Sequence, residues 1–280
     1  MTHYEAYPYP DPQQLMAAAP LREWKTDGGP REDTWNDWFP GEEYGSCRKR
    51  MLVAGCGTTE AVFIAAQEPM LDVVGIDESV ASLQVARRLA DAEGLTNLTL
   101  RHASLPNGRL GPAFDAACCT GVLHHIRRAE VAVRELRVAC RRGARVVAMV
   151  YGDMMRSYVP QFCDALRKLG IKPDADGIAA ARRIIAGLPE HHPVREVPPT
   201  SYASDAHFVD MWLHPYFKQY RADEFSELMW RHGPFRTVAW IGPAVADVPG
   251  MDLTDDPAGW RVRQVLNHAD AKLIAMFEAA

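Results

Sequence analysis

The sequence predicts an α/β fold: a doubly wound, mostly parallel sheet, preceded by an N-terminal arm and interrupted after its fifth strand by an α-helical cap. Three observations carry that expectation. Between Arg48 and Tyr151, short, nearly continuous apolar runs alternate with stretches of helical period. That is the pattern of parallel strands buried on both faces and joined by crossover helices. Inside it, Met51-Leu-Val-Ala-Gly-Cys-Gly-Thr-Thr-Glu-Ala61 passes from four apolar residues through two glycines into a helical pattern. Finally, residues 152–234 contain no convincing strand, and an insertion of that length reads as a functional cap rather than a connector.

Taken in order, residues 1–47 form the arm. They hold eight aromatics (Tyr4, Tyr7, Tyr9, Trp24, Trp35, Trp38, Phe39, Tyr44) and nine Asp/Glu against three Lys/Arg, a net charge of −6. Such an arm either folds over a pocket and favours a cation there through ring faces and carboxylates, or packs its rings along the edge of the core.

Residues 48–151 form the core. Strands are expected at 50–54, 71–76, 97–102, 114–120 and 144–151, the last introduced by the Arg-Arg-Gly turn at 141–143. Helices are expected at 58–67, 79–93 and 127–139, the second capped by Ser79 and closed by Gly94. Residues 152–234 then form the cap, with helices around 158–169, 174–187, 205–213 and 222–232. Residues 235–280 complete the core with a strand at Phe235–Ile241, a loop at Pro243–Asp256, and a charged amphipathic helix from Trp260 to the C-terminus.

Composition narrows the function classes. Among 280 residues, 48% are apolar and 24% charged, which suits a globular protein with a packed core. A net charge of −5 gives no general pull toward nucleic acid or an anionic membrane. No apolar run approaches the roughly 20 residues that span a bilayer. The stretch Met1-Thr-His-Tyr-Glu-Ala lacks the basic and apolar regions of a secretory leader. Six scattered cysteines form no C-x-x-C pair, so a reduced, cytoplasmic compartment is expected. No G-x-S-x-G elbow, H-E-x-x-H or Walker loop is present, which leaves hydrolase, zincin and nucleoside-triphosphatase readings without support.

The glycine turn points to chemistry. Asp77 closes the second apolar run, twenty residues after Gly57, where an acidic residue grips an adenosine ribose in a Rossmann-like unit. Two adenosine cofactors compete for such a crevice. A dinucleotide calls for a third glycine, and its pyrophosphate rests on the helix N-terminus. Here Glu60 takes that place. Its carboxylate would repel a pyrophosphate but tolerates a sulfonium or an ammonium, which turns the reading toward S-adenosylmethionine.

Four motifs then resemble, in order and spacing, the class I (Rossmann-like) S-adenosylmethionine-dependent methyltransferases. They are Leu-Val-Ala-Gly-Cys-Gly-Thr, Val-Val-Gly-Ile-Asp-Glu-Ser, Phe-Asp-Ala-Ala-Cys-Cys-Thr-Gly-Val-Leu-His-His-Ile and Cys-Arg-Arg-Gly-Ala-Arg-Val-Val-Ala-Met-Val-Tyr. Tyr7-Pro-Tyr-Pro and Asp210-Met-Trp-Leu-His-Pro215 further resemble a bacterial subgroup with a helical cap after strand five. The resemblance implies that Ala54, Gly55, Cys56 and Gly57 hold the methionine moiety and that Asp77 holds the ribose hydroxyls, with Glu78 and Ser79 beside them. It places Ala103 and Ser104 by the adenine and Thr120 and Gly121 under the sulfonium; if the arm folds over the pocket, Tyr9 is expected over the cofactor. Two positions depart from the family. Val53 stands where an acidic residue usually precedes the first glycine, and Ser104 where an aspartate often meets the adenine amine.

The acceptor side has its own candidates. His124 and His125 end the fourth strand's motif at the mouth of the crevice, where an imidazole suits a general base. His207, Asp210 and His214 recur at i, i+3 and i+7, as a polar pocket edge in which Asp210 and His214 pair with each other or with substrate; no metal is expected. Tyr151 and Arg156 lie just past strand five, where a substrate's polar end would enter. The expected reaction is methyl transfer to a small-molecule acceptor, a metabolite or natural product in biosynthesis. The alternatives are a protein or peptide side chain, or a non-catalytic cofactor-binding scaffold or regulator. No nucleic-acid or membrane partner is expected, and Trp212 or Trp230, if exposed on the cap, would offer a homodimer contact.

Overall fold

The computed structural model describes residues 3–13, 29, 34–107, 110, 111, 113–154, 157–197, 204–241, 261, 262, 264, 265 and 272–280. Its centre is a seven-stranded sheet in the order β3-β2-β1-β4-β5-β7-β6. The strands are β1 (Lys49–Ala54), β2 (Leu71–Asp77), β3 (Leu98–His102), β4 (Phe114–Thr120), β5 (Cys140–Val150), β6 (Phe235–Ile241) and β7 (Leu273–Ala279). All neighbours up to β5 pair in parallel, and β7 runs antiparallel between β5 and β6. The helices between strands are α1 (Glu60–Gln67), α2 (Val80–Ala92) and α3 (Ala129–Ala139).

Near-continuous apolar strands arise because successive side chains point to opposite faces and both faces are covered. In β1, Leu52 and Ala54 join Phe114, Val133, Leu136, Phe225 and Phe277 on one side. Met51 and Val53 join Ile64, Cys118, Val147, Trp35, Trp38 and Phe39 on the other. Trp35 and Trp38 of the arm thus pack along the core, the second of the two readings of the arm; Trp24 lies outside the described residues. As expected, Ser79 caps α2, its hydroxyl accepting from the Ser82 amide at 3.0 Å.

The helical insertion contains α4 (Tyr158–Lys168) and α5 (Ala175–Gly187). A short helix, Asp205–Phe208, follows and runs directly into a π turn, Val209–Leu213; α6 (Ala222–His232) then leads to β6. The insertion has an apolar cluster of its own, built from Val159, Leu166, Ile178, Phe208 and Trp212. Trp212 is fully buried there, so it is a core residue and not a surface contact. Trp230 is 57% exposed on α6.

The structure corrects three further expectations. The C-terminal segment is not a helix to its end: Leu273–Ala279 is a strand inserted between β5 and β6. Its run Leu-Ile-Ala-Met-Phe-Glu-Ala is almost wholly buried, and periodicity alone cannot separate such a run from a buried helix. Helical backbone occurs at residues 261, 262, 264 and 265, while the loop expected at 243–256 lies outside the described residues. The Arg-Arg-Gly stretch before strand five is not a turn but an irregularity inside β5, where the register jumps from Phe114↔Cys140 to Ala116↔Arg145. Finally, the expected α-helix 205–213 changes to a π turn at Val209, which alters where its side chains point.

Candidate functional site

In an open parallel sheet, ligands bind beyond the carboxyl ends of the strands. A cavity of about 930 Å³ lies there, within the range of small-molecule sites. Gly55, Cys56 and Gly57 line it after β1, Asp77 and Glu78 after β2, and Ala103 and Ser104 after β3. Thr120 and Gly121 follow from β4, Tyr151 from β5, and Tyr9 from the arm. Two expected cofactor contacts lie outside this lining. Ala54 is wholly buried in β1, and the Ser79 side chain is committed to capping α2 and to the Tyr4 carbonyl.

The turn after β1 is fastened on three sides. The Gly57 amide donates to Asp77 Oδ2 at 2.9 Å, and the Ser79 amide to Asp77 Oδ1 at 2.8 Å. The Thr58 amide donates to the Tyr9 carbonyl at 3.0 Å, and the Thr58 hydroxyl to the Pro10 carbonyl. The Cys56 amide reaches the Ile76 carbonyl at 2.9 Å and the Glu60 amide the Cys56 carbonyl at 3.3 Å. The amides that would cradle a pyrophosphate therefore already have protein acceptors. Burial pushes the Asp77 carboxyl upward against the pull of its amide donors.

Gly57 has φ +54°, and a Cβ there would stand 2.5 Å from the Tyr9 carbonyl oxygen. Both facts demand glycine. Gly57→Ala is expected to lift the arm off the turn, so limited proteolysis should cleave residues 3–10 faster than in the unsubstituted chain. Unchanged cleavage would contradict this docking.

Glu60 stands at the first position of α1 and lines the cavity. Its Oε1 accepts from the Thr120 hydroxyl and, at 3.3 Å, from the Cys118 thiol. Burial raises its pKa, against the weaker pull of those two donors and of Lys272. Cys118 pairs in register with Val53. The carboxylate missing from β1 is thus supplied to the same neighbourhood by α1.

On the acceptor side, His124 is fully buried, its ring 4.5 Å from Tyr151 and 4.1 Å from His125. His125 Nδ1 lies 3.2 Å from the Tyr216 carbonyl. A carbonyl only accepts, so Nδ1 carries the proton and Nε2 the lone pair. Nε2 faces Asp210 Oδ1 at 3.7 Å, and the ring stacks on His214 at 3.7 Å. Burial lowers the His125 pKa more than Asp210 raises it. His214 Nδ1 accepts from the Tyr216 amide at 3.1 Å, and burial with the neighbouring His125 and His3 drives its pKa far down.

The expected Asp210–His214 pair is corrected. The π turn aims Asp210 at the arm, where the Tyr4 hydroxyl donates to its Oδ1 at 2.8 Å. His207 is not in the cavity wall; it pairs with Ser204 at 2.9 Å and meets the Tyr9 ring edge at 5.0 Å. Arg156 lies outside the described residues. Among the described residues, no cluster suits a metal ion and no helix is long and apolar enough to cross a membrane. His3, Tyr4 and Tyr216 also line the cavity; sequence spacing gave no signal for them beyond the aromatic content of the arm.

Comparison with known proteins bears on the fold and on the central segment. Residues 52–146 match a family model described as a methyltransferase domain. The structure of PKMT2 from Rickettsia typhi in complex with AdoHcy is similar at a TM-score of 0.64 and 12% identity, over 82% of this chain and 49% of that one. A second structure of PKMT2 from Rickettsia typhi gives 0.62 and 13%, over 82% and 48%. The chain thus spans about half the length of these first matches. The [4+2]-cyclase SpnF is similar at 0.50 and 16%, over 84% of this chain and 76% of that one. At these identities the likeness is one of fold, and the family assignment rests on the matched segment and its motifs. Residues 52–146, about a third of the chain, are thus similar to a methyltransferase domain.

Proposed function

We propose that this chain transfers a methyl group from S-adenosylmethionine to a small-molecule acceptor, held between the sheet and the helical cap. One observation carries the reading. The cavity at the strand ends is bordered by Tyr4 and Tyr9 of the arm and by Asp210 and His214 around the π turn, and at about 930 Å³ it has the size of a small-molecule site. When bound, the cofactor supplies an electrophilic methyl carbon on a good thioether leaving group. The residues present suit it. Asp77 offers a carboxylate to a ribose diol, Ala103 and Ser104 line the adenine side, and Glu60 with Thr120 and Gly121 gives the cationic end a negative wall.

The chain's remaining work is alignment, exclusion of water and removal of a proton. His125 is placed for the last. It is neutral near pH 7, its Nε2 lone pair faces the Asp210 carboxylate, and that carboxylate stabilises the imidazolium formed when Nε2 takes the acceptor's proton. Because burial holds the His125 pKa below its usual 6.5, activity should persist on acidification past pH 6.5 and fall only below it. His125→Gln is expected to lower the rate about 10²–10⁴-fold, and an unchanged pH profile in that variant would remove the histidine from the mechanism.

A transfer assay with methyl-labelled S-adenosylmethionine tests the acceptor class. Label should enter the low-molecular-mass fraction of candidate substrates. Label confined to protein would favour side-chain methylation. Tight cofactor binding without label transfer would favour a scaffold or regulator.

A further inference from the structure

One residue of the arm reaches both halves of the cavity. The Ser79 hydroxyl donates to the Tyr4 carbonyl at 3.0 Å, and the Ser79 amide is itself held by Asp77. Beside Tyr4, the Glu5 carboxylate accepts from the Val80 and Ala81 amides at 2.8 and 3.2 Å, where the start of α2 favours negative charge. This is the ribose side. The Tyr4 hydroxyl crosses to the other side and donates to Asp210 Oδ1, the oxygen that faces His125 Nε2. A continuous series of polar contacts therefore runs Asp77, Ser79, Tyr4, Asp210, His125, through residues from four separate parts of the chain.

We infer that Tyr4 is a positioning residue: docked on Ser79, it holds Asp210 against His125, so that closure of the arm over the cofactor turn and orientation of the imidazole are one event. The inference rests on the reading of His125 as the base only for its catalytic consequence. Its chemistry is consistent. Burial and the Asp210 carboxylate push the Tyr4 phenol well above its ordinary pKa, so the hydroxyl remains a donor throughout the working range. The groups around His125 are Asp210 and His214 from the cap, His3 and Tyr4 from the arm, and His124 and the Tyr216 carbonyl. Burial holds His3 at about 4 and His214 lower still. Asp210 is the acidic group that these contacts aim at the imidazole, and Tyr4 is what aims it.

The test needs no acceptor. Histidine ¹⁵N titration by NMR and amide exchange over residues 3–10 are measured on the full chain saturated with S-adenosylhomocysteine. Tyr4→Phe keeps the ring and the Ser79 contact but frees Asp210. It should lower the His125 midpoint by at least about half a unit, because the imidazolium loses its partner, and speed arm exchange about tenfold. Asp210→Ala, which leaves the Tyr4 hydroxyl no carboxylate to hold, should do the same, and the double variant should do no more than Asp210→Ala alone. A midpoint that rises or stays within about 0.2 unit, or arm exchange that does not change, overturns the inference. Full methyl transfer by His125→Gln overturns the base reading alone, because titration and exchange still decide the role of Tyr4.

Discussion

Asp77→Ala is expected to abolish measurable binding of S-adenosylhomocysteine in isothermal titration, a loss of about 10²–10⁴-fold. The size follows from what the carboxylate offers a ribose. Two charge-assisted hydrogen bonds to a vicinal diol contribute about 1.5–3 kcal/mol each, and every 1.4 kcal/mol is about tenfold. Part of the loss is indirect, because Asp77 also accepts from the Gly57 and Ser79 amides. Without it, the glycine turn and the cap of α2 lose a shared anchor, and a lower Tm should accompany the lost affinity. Asp77→Asn separates the two effects. One oxygen still serves an amide, so the fold should hold while affinity falls by roughly tenfold, the value of one charge-assisted bond. A nicotinamide dinucleotide should not bind the unsubstituted chain, since the Cys56, Gly57, Thr58 and Glu60 amides already have protein acceptors. Undiminished binding by Asp77→Ala would remove the adenosine reading of the crevice.

What the sequence disclosed was local or periodic. The glycine turn, the acidic end of β2 and the Ser79 cap are each written within a few residues, and each stands where expected. β1, β2, β4 and the second half of β5 were legible because burial on both faces leaves them apolar, and β3, none of whose residues is buried, by its alternation. The strand at Leu273–Ala279 is equally apolar, but its place between β5 and β6 depends on pairings with residues far away in sequence. The π turn was hidden for another reason. Residues 205–213 carry an ordinary helical period, and nothing in that period marks the change at Val209, which lies between the buried Phe208 and Trp212. That change decides the site. It gives Asp210 to Tyr4, 206 residues away, instead of to His214. An arm rich in rings and carboxylates announced a cover for something, but only the fold shows Trp35, Trp38 and Phe39 on the sheet and Tyr4 and Tyr9 at the cavity.

Glu60→Gln should raise stability and lower cofactor affinity together, and that opposition is its signature. The carboxyl is buried, with a hydroxyl and a thiol as its direct donors and Lys272 as a weaker influence. Its pKa is therefore raised in the folded chain, above the ordinary 4.5. A raised carboxyl favours folding most below the unfolded value, and that contribution is lost as pH climbs through the folded one. Above the folded value the native state carries an ionised carboxylate in a poor environment. The neutral amide keeps an oxygen for Thr120 and Cys118 and removes the charge, so Tm should rise, by about 2–4 °C for each kcal/mol gained in a chain of this size. The gain over the unsubstituted chain should shrink as pH falls toward 4.5, because the native carboxyl is then protonated as well. S-adenosylmethionine brings the opposite balance, since its cationic end would meet a negative wall that the variant lacks. Affinity should fall about 10–100-fold, the scale of one hydrogen bond to a charged group. An analogue without the amino-acid moiety, 5′-methylthioadenosine, should bind both proteins alike. Equal losses for the two ligands would assign Glu60 to the shape of the turn, with Val53 left uncompensated. A loss confined to the charged ligand would show the acidic group moved from strand to helix, at the register position where Cys118 faces Val53.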